Sequence, residues 1–355
     1  MSEAMIAPLL DTLRRHFALS KSRLATLAVL ICGVAQSRTA NLSHLACHFS
    51  GPALHASNYR RLQRFFQHER LDGDVVAQMI IRMLNLARPK QLAMDRRNWK
   101  LGGRDINILM LAIVTRRFRV PLMWVQLDRA GNSDTPQRIA VMQRYLTLFG
   151  AASIELLLAD REFIGAEWMK FLCKNNIPFV IRLREGQMVE LQGQGRYSFA
   201  ALTRKHRQGA WEGRLSDMTT PLRCAATRGR RGERVIVATN TLNARRALNV
   251  YARRWGIECL FADTKTRGLN LEDTHITDPA KLDTLLAVVA LAVTWAYRCA
   301  TCLMGRGAIA RKTHGRREKS WFRLGLDTLR KWLIHDPAKA LTAWTQTAPK
   351  RAFRQ

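Results

Sequence analysis

The stretch that most constrains this chain is Ile154-Glu-Leu-Leu-Leu-Ala159, followed at once by Asp160. Leu156 to Ala159 are continuously apolar, which suits a strand covered on both faces and not a half-exposed one. Such a strand needs a sheet around it and helices on both sides. Asp160 is then the first polar residue at the strand's carboxyl end, where open α/β sheets hold their ligands.

The neighbouring sequence supplies that sheet. Leu92 to Met94 before Asp95, the run INILMLAIV (106–114) and the run VPLMWVQL (120–127) read as three strands of a meander. Ser133 or Asp134 caps a helix that carries Ile139, Met142, Tyr145 and Leu146 and ends at Gly150. A helix over 166–175 and a strand over 178–183 complete a β-β-β-α-β-α-β pattern. Residues 184–240 break this rhythm with recurrent glycines, short alternating runs and the basic loop TRGRRGER (227–234), and read as a small, mostly antiparallel β insertion ending in RVIVAT.

Residues 1–86 show helical periodicity without a strand signal. Within them LSHLACHF, the Gly51-Pro52 break and SNYRRLQRFF resemble a helix-turn-helix whose second helix presents Arg60, Arg61 and Arg64 to DNA. A solvated basic face on a helical bundle would look the same. After Gly268 come a loop, a buried helix (283–302), a Gly- and Arg-rich basic linker (Arg306 to Lys319), an amphipathic helix (Trp321 to Leu333) and a polar tail expected to be mobile. The stripe Trp321, Leu324, Thr328 and Trp332 suits a contact between copies or packing inside the chain.

Lys plus Arg total 58 against 27 Asp plus Glu, a net +31 spread along all 355 residues, and the partner this implies is a polyanion. Nucleic acid is preferred to a membrane, because the basic residues interleave with Trp, Tyr, Asn and Gln. The most apolar run, Thr284 to Tyr297, falls short of the roughly 20 residues a membrane span needs. No signal peptide opens the sequence, so a cytoplasmic, nucleoid-associated protein is expected. Seven cysteines at irregular spacing, a lone Cys299-x2-Cys302 pair, and Cys47, His48 and His55 match neither a disulfide framework nor a zinc pattern.

Residues 243–268, NARRALNVYARRWGIECLFADTKTRG, read as one helix capped by Asn243 and closed by Gly268. At about 100° per residue, Tyr251, Arg254, Trp255, Glu258 and Lys265 share one stripe about 100° wide. An amphipathic helix with an Arg254–Glu258 pair is the plain account of it. Two strand-borne aspartates, Asp95 and Asp160, plus a helix-borne glutamate are also what a two-metal phosphodiester cutter requires. Glu162 reads as a partner for a nearby arginine, and Glu272 and Asp273 as loop residues.

With Tyr251-x2-Arg254-x3-Glu258-x6-Lys265 in place, the chain resembles bacterial insertion-sequence transposases of the DDE class, the insertion sequence four family, which carry this Tyr-Arg-Glu-Lys signature. MDRRNWKLGGRDIN, GNSDTPQRI, LLLADREFIG, IPFVIRLRE and NLEDTHITDP also look like that family's core, so the resemblance runs from about Leu92 to Arg298. It implies an α/β fold, a ribonuclease-H-like catalytic core with an inserted β subdomain, and the periodicity of residues 1–86 places an all-helical N-terminal domain before it. The expected divisions are 1–86 (helical, DNA-binding), 87–183 (core, first part), 184–240 (β insertion), 241–304 (core, second part) and 305–355 (basic linker and C-terminal helix).

The resemblance further implies that Asp95, Asp160 and Glu258 hold two Mg²⁺ ions, with Mn²⁺ able to substitute. The expected chemistry is hydrolysis at the element's ends followed by attack of the freed 3′-OH on target DNA, by cut and paste. The partners are double-stranded DNA, as terminal inverted repeats and target, and a second copy of the chain in a homodimeric synaptic complex. Arg254 and Lys265 suit phosphates and Tyr251 a phosphate oxygen. Trp255 is read first as packing the helix onto the sheet and second as stacking near a distorted base. Trp211, the only tryptophan of the insertion, is the candidate for stacking on a flipped base in relatives that form hairpins. The alternative function is a catalytically inactive DNA-binding protein derived from a transposase.

Overall fold

The computed structural model describes residues 6–345 other than 87–89, 102–103, 128–130, 205–207, 216–217, 219, 229–231 and 266. The tip of the basic loop and the tail after residue 345 lie outside the described residues.

The helices before the first strand are α1 (Ala7–Arg14), α2 (Lys21–Ser37), α3 (Leu42–Ala46), α4 (His55–His68) and α5 (Gly73–Leu84). Side-chain caps set their starts: Ser20 accepts from Arg23 N, Asn41 from Ser43 N and Asp72 from Asp74 N. The helix-turn-helix expectation is not met in detail. The helix α3 has five residues, and residues 47–54, with Gly51 at φ +101°, separate it from α4. That connection exceeds the three or four residues of such a turn.

Strands β1 (Lys90–Leu101), β2 (Arg104–Val114) and β3 (Arg119–Leu127) form the expected antiparallel meander. Next come α6 (Thr135–Phe149), opened by an Asp134–Gln137 capping box, then β4 (Ile154–Ala159), α7 (Ala166–Lys174) and β5 (Phe179–Arg182). Strand β4 pairs parallel to both β1 and β5. Leu157, Leu158 and Ala159 are fully buried, as their unbroken apolar run requires. Strand β1 runs to Leu101, well past the apolar Leu92–Met94, because Asp95 to Lys100 pair residue by residue with Asp105 to Met110. Asp95 therefore stands within a strand and not at its end.

The following elements are β6 (Met188–Leu191), β7 (Gly195–Ser198), α8 (Phe199–Leu202), β8 (Gln208–Leu215), β9 (Leu222–Arg228) and β10 (Arg234–Thr239). Their pairings are antiparallel, and they do not make a sheet of their own. Strand β10 pairs with β5, so the order is β3-β2-β1-β4-β5-β10-β9-β8-β6-β7, ten strands among the described residues.

The expected single helix over 243–268 is α9 (Ala244–Tyr251), a 3₁₀ turn (Ala252–Arg254) and α10 (Trp255–Thr264). It stops before Gly268, because the chain doubles back: Leu269 N donates to Asp263 O. Only glycine fits at 268, where a Cβ would lie 1.9 Å from Asp263 O. The buried helix is α11 (Pro279–Met304), long and apolar enough to cross a membrane, with its most apolar window 94% buried inside the protein. Helix α12 (Trp321–His335) packs on α11, so Trp321 and Thr328 face their own chain and are not free to contact another copy. A further helix, α13 (Pro337–Thr345), was not expected. Trp295 and Arg298 of α11 donate to Ala340 O and Ala343 O, and Trp344 meets Trp295 edge to face at 5.0 Å.

The crossing of α11 and α12 is close because Gly325 has no side chain; a Cβ there would lie 1.9 Å from Ala296 O. Gly325→Ala is expected to force the helices apart and cost about 1–3 kcal/mol. Thermal unfolding measures it, and an unchanged midpoint would contradict the packing described.

Candidate active site

The register Met94↔Ala159 on the paired strands β1 and β4 brings the next residue of each, Asp95 and Asp160, to neighbouring positions. Asp160 sits just after β4 in extended conformation, its Oδ1 accepting from Arg161 N at 2.7 Å. Asp95 and Trp99 lie on one face of β1, and Trp99 meets Phe261 of α10 at 6.1 Å, edge to face. Helix α10 is thereby held over the face from which Asp95 projects. Glu258, in its first turn, completes the group.

These three acids converge on one guanidinium. Arg254 donates to Asp95 Oδ2 at 3.2 Å, pairs closely with Glu258 Oε1 one turn along, and stands 3.9 Å from Asp160 Oδ2. The arginine is 7% exposed. Tyr251 donates to Asp160 Oδ1 at 3.2 Å, and its ring lies 5.9 Å from the Arg254 guanidinium carbon. Burial pushes the Asp95 carboxyl up to about 6, against the pull of Arg254 and of the Arg96 amide. Burial likewise raises the Tyr251 phenol, with Arg254 opposing it, so the hydroxyl stays protonated as a donor. For Arg254, burial works against its charge, and the carboxylates of Asp160 and Asp95 with the hydrogen bond to Glu258 outweigh it, so the guanidinium is held protonated.

The sequence-derived residues fall into three groups. Asp95, Asp160, Glu258, Arg254 and Tyr251 come together. Arg254 and Tyr251, however, point inward to the acids and do not stand open on the surface. Lys265 is the C-cap of α10 and pairs with Glu272 of the 3₁₀ turn Leu271–Asp273, so it is tied to a carboxylate beyond the helix. Trp255 does not pack on the sheet: it is 62% exposed, which corrects the first reading of it. The 3₁₀ turn before it winds at three residues per turn, and over three residues this rotates the stripe's phase by about 60°.

Trp211 lies on β8, four strands from β4 in the sheet, or about 19 Å away at strand spacing. Its ring covers Gly209 and meets Phe199 at 6.1 Å. Arg60 and Arg64 are exposed on α4. Arg61 instead joins α4 to α2, donating to Thr26 Oγ1 and Ser22 O at 3.0 Å each and covering the Phe49 ring. Glu162 pairs with Arg96 at 3.5 Å, as an arginine partner should. The neighbour that spacing left out is Arg96 itself. Its place beside Asp95 was visible, but not that its side chain meets Glu162 and Asn107.

Three carboxylates are hard oxygen donors, suited in kind to Mg²⁺ or Mn²⁺. Among the described residues no three acidic, His or Cys side chains already stand as a metal-binding group. Arg254 lies between the candidate ligands, so an ion could share them only if the guanidinium withdrew.

A mixed α/β sheet with acids on adjoining central strands and a third acid on a helix above them is consistent with the ribonuclease-H-like core of a DDE transposase. A family model described as the transposase DDE domain matches residues 85–295, more than half of the chain, and the chain belongs to that family. Such domains are DNA-binding transposition enzymes that generally use divalent metal ions. Among solved structures, endonuclease V from Bacillus subtilis is similar over 62% of this chain and 90% of that one, at 11% identity and a TM-score of 0.25, too low to carry an argument. No curated protein gave a match.

Arg254→Gln leaves three converging carboxylates without their cation. The expected cost is about 3–5 kcal/mol, as for removing one partner of a buried ion pair. Millimolar Mn²⁺ should restore part of it. Equal unfolding midpoints for the variant with and without Mn²⁺ would count against a shared carboxylate site.

Proposed function

We propose that the chain is an insertion-sequence transposase of the Tyr-Arg-Glu-Lys type, cutting the ends of its element and joining the 3′-OH ends to target DNA by cut and paste. The observation that carries this reading is the convergence of Asp95, Asp160 and Glu258, from β1, β4 and α10, on the single guanidinium of Arg254. In this reading the three acids hold two Mg²⁺ ions, which Mn²⁺ can replace. Bound there, the ions would supply charge stabilisation for the attacking and leaving oxygens of the phosphodiester.

The chain's own residues do the rest. Asp95 is fixed by strand pairing and the Arg96 amide, and Asp160 by its place directly after β4 and the Arg161 amide, so they are preorganised. Arg254, a planar fork matched to carboxylate and phosphate alike, neutralises the acids and then grips a DNA phosphate when cations compete for them. Tyr251 orients Asp160. Trp255, exposed beside Arg254, suits stacking on a base near the scissile bond, worth about 1–3 kcal/mol. Lys265 and Trp211 would need to leave Glu272 and Phe199 to reach DNA. Arg60 and Arg64 on α4 present cations to the duplex. Two copies act as a homodimer that synapses the element's ends, in the cytoplasm.

The test is incubation of purified protein with labelled duplex carrying the element's ends, with and without Mg²⁺. Asp95→Asn, Asp160→Asn and Glu258→Gln should each abolish cleaved and joined products while DNA binding persists. Cleavage retained by all three variants would sink the assignment.

A further inference from the structure

The segment after α11, expected to be a linker, is folded. Gly305 ends the helix at φ +50°, and the chain returns as a narrow ribbon with Arg311 and Arg317 as an antiparallel pair. Glu318 N donates to Ala310 O, Lys312 N to Arg316 O and Gly315 N to Lys312 O, the last closing a tight turn at Gly315, φ +78°. Ile309 is buried and anchors the base. Arg117, in the β2–β3 turn, donates to Gly305 O and Arg306 O and lies over the Trp321 ring at 5.0 Å, so the ribbon's root is fastened to the core sheet.

Every residue from Arg311 to Ser320 is exposed. Arg306, Arg311, Lys312, Arg316, Arg317 and Lys319 stand against one acid, Glu318. Lys319 pairs with Asp327, whereas among the described residues none of the other five makes an ion pair. Like charges gathered on so short a ribbon repel one another, and among the described residues Glu318 and Asp327 are the acids set against them. The arms span about 14 Å at strand rise, the length of about four base pairs of duplex.

The ribbon also lies within reach of a duplex held at the acids. Asp95 pairs with Met110, and β2 runs four residues further to Val114 before the turn that carries Arg117. The root is thus roughly 15–20 Å from Asp95 along the sheet, about half a helical turn of DNA.

We propose that the ribbon of residues 306–319 is a sequence-independent grip on the phosphate backbone of duplex DNA, outside the stretch held at the acidic cluster. This rests on the reading of the chain as DNA-binding, not on its chemistry. Lys312, Arg316 and Arg317 supply the contacts. Arg311, whose guanidinium donates to Gly315 O, holds the turn.

The test uses the full chain in EDTA with a labelled random-sequence duplex, read by fluorescence anisotropy across a salt series. The triple variant Lys312→Gln, Arg316→Gln, Arg317→Gln should bind at least tenfold more weakly near 0.1 M salt. Its log–log salt slope should be shallower by about 2.7, at roughly 0.9 for each phosphate no longer neutralised. Its unfolding midpoint should match the native one. The same weakening is expected on a duplex carrying the element's ends. Native-like affinity and slope in the variant would overturn the proposal, as would a weakening confined to end-bearing duplex, or a loss of binding to anionic vesicles with DNA affinity unchanged. A native chain that binds no duplex would overturn the DNA-binding reading itself and the ribbon with it.

Discussion

Three acids gathered at adjoining strands and the helix above them need a cation among them, and Arg254 is the one this chain provides. Its guanidinium touches Asp95 and Glu258 and approaches Asp160, while itself 7% exposed. A buried carboxylate cluster without that charge would repel itself and resist ionisation, and burial already raises the Asp95 carboxyl with Arg254 pulling the other way. The position of α10 over β1, the 3₁₀ turn that brings Arg254 round, and the Tyr251 bond to Asp160 all serve one arrangement of charge.

The sheet explains why that arrangement can be stiff. Strands β1 and β4 are central in a continuous sheet, with β2 and β3 on one side and β5 followed by β10 on the other. Asp95 and Asp160 therefore stand on backbone that is hydrogen-bonded to both sides or fixed directly beside it. The strands between β5 and α9 lengthen this same sheet, so Trp211 is carried away from the acids.

Much of the fold was legible where a local pattern decides it. The unbroken Leu156–Ala159 run made β4 a buried strand, and the helical repeats before residue 86 gave α1 to α5. The acids were legible as well, because each follows a recognisable apolar run or sits at a fixed spacing on a helix. What local patterns do not carry is what a face meets. The helical wheel put Arg254 beside Glu258, but only the fold turns it toward Asp95. Trp255 sits at the edge of the stripe, and the tightened turn before it sends it to solvent. The polar half of β1 carries no apolar signal because β4 pairs with β1 only as far as Met94, beyond which β2 alone holds the strand, and the pairing of β10 with β5 leaves no trace in either sequence. Helix α13 is short and is held by Trp295 and Arg298 from a distant helix, a constraint that no local window contains.

We propose that Asp95, Asp160 and Glu258 form a divalent-cation site whose place the Arg254 guanidinium takes in this structure. Crystals grown with Mn²⁺ and measured at the manganese absorption edge test it most directly. Anomalous peaks are expected among the three carboxylates, with the Arg254 guanidinium drawn away from Asp95. Well-ordered peaks elsewhere, with Arg254 still bonded to Asp95 and Glu258, would contradict it.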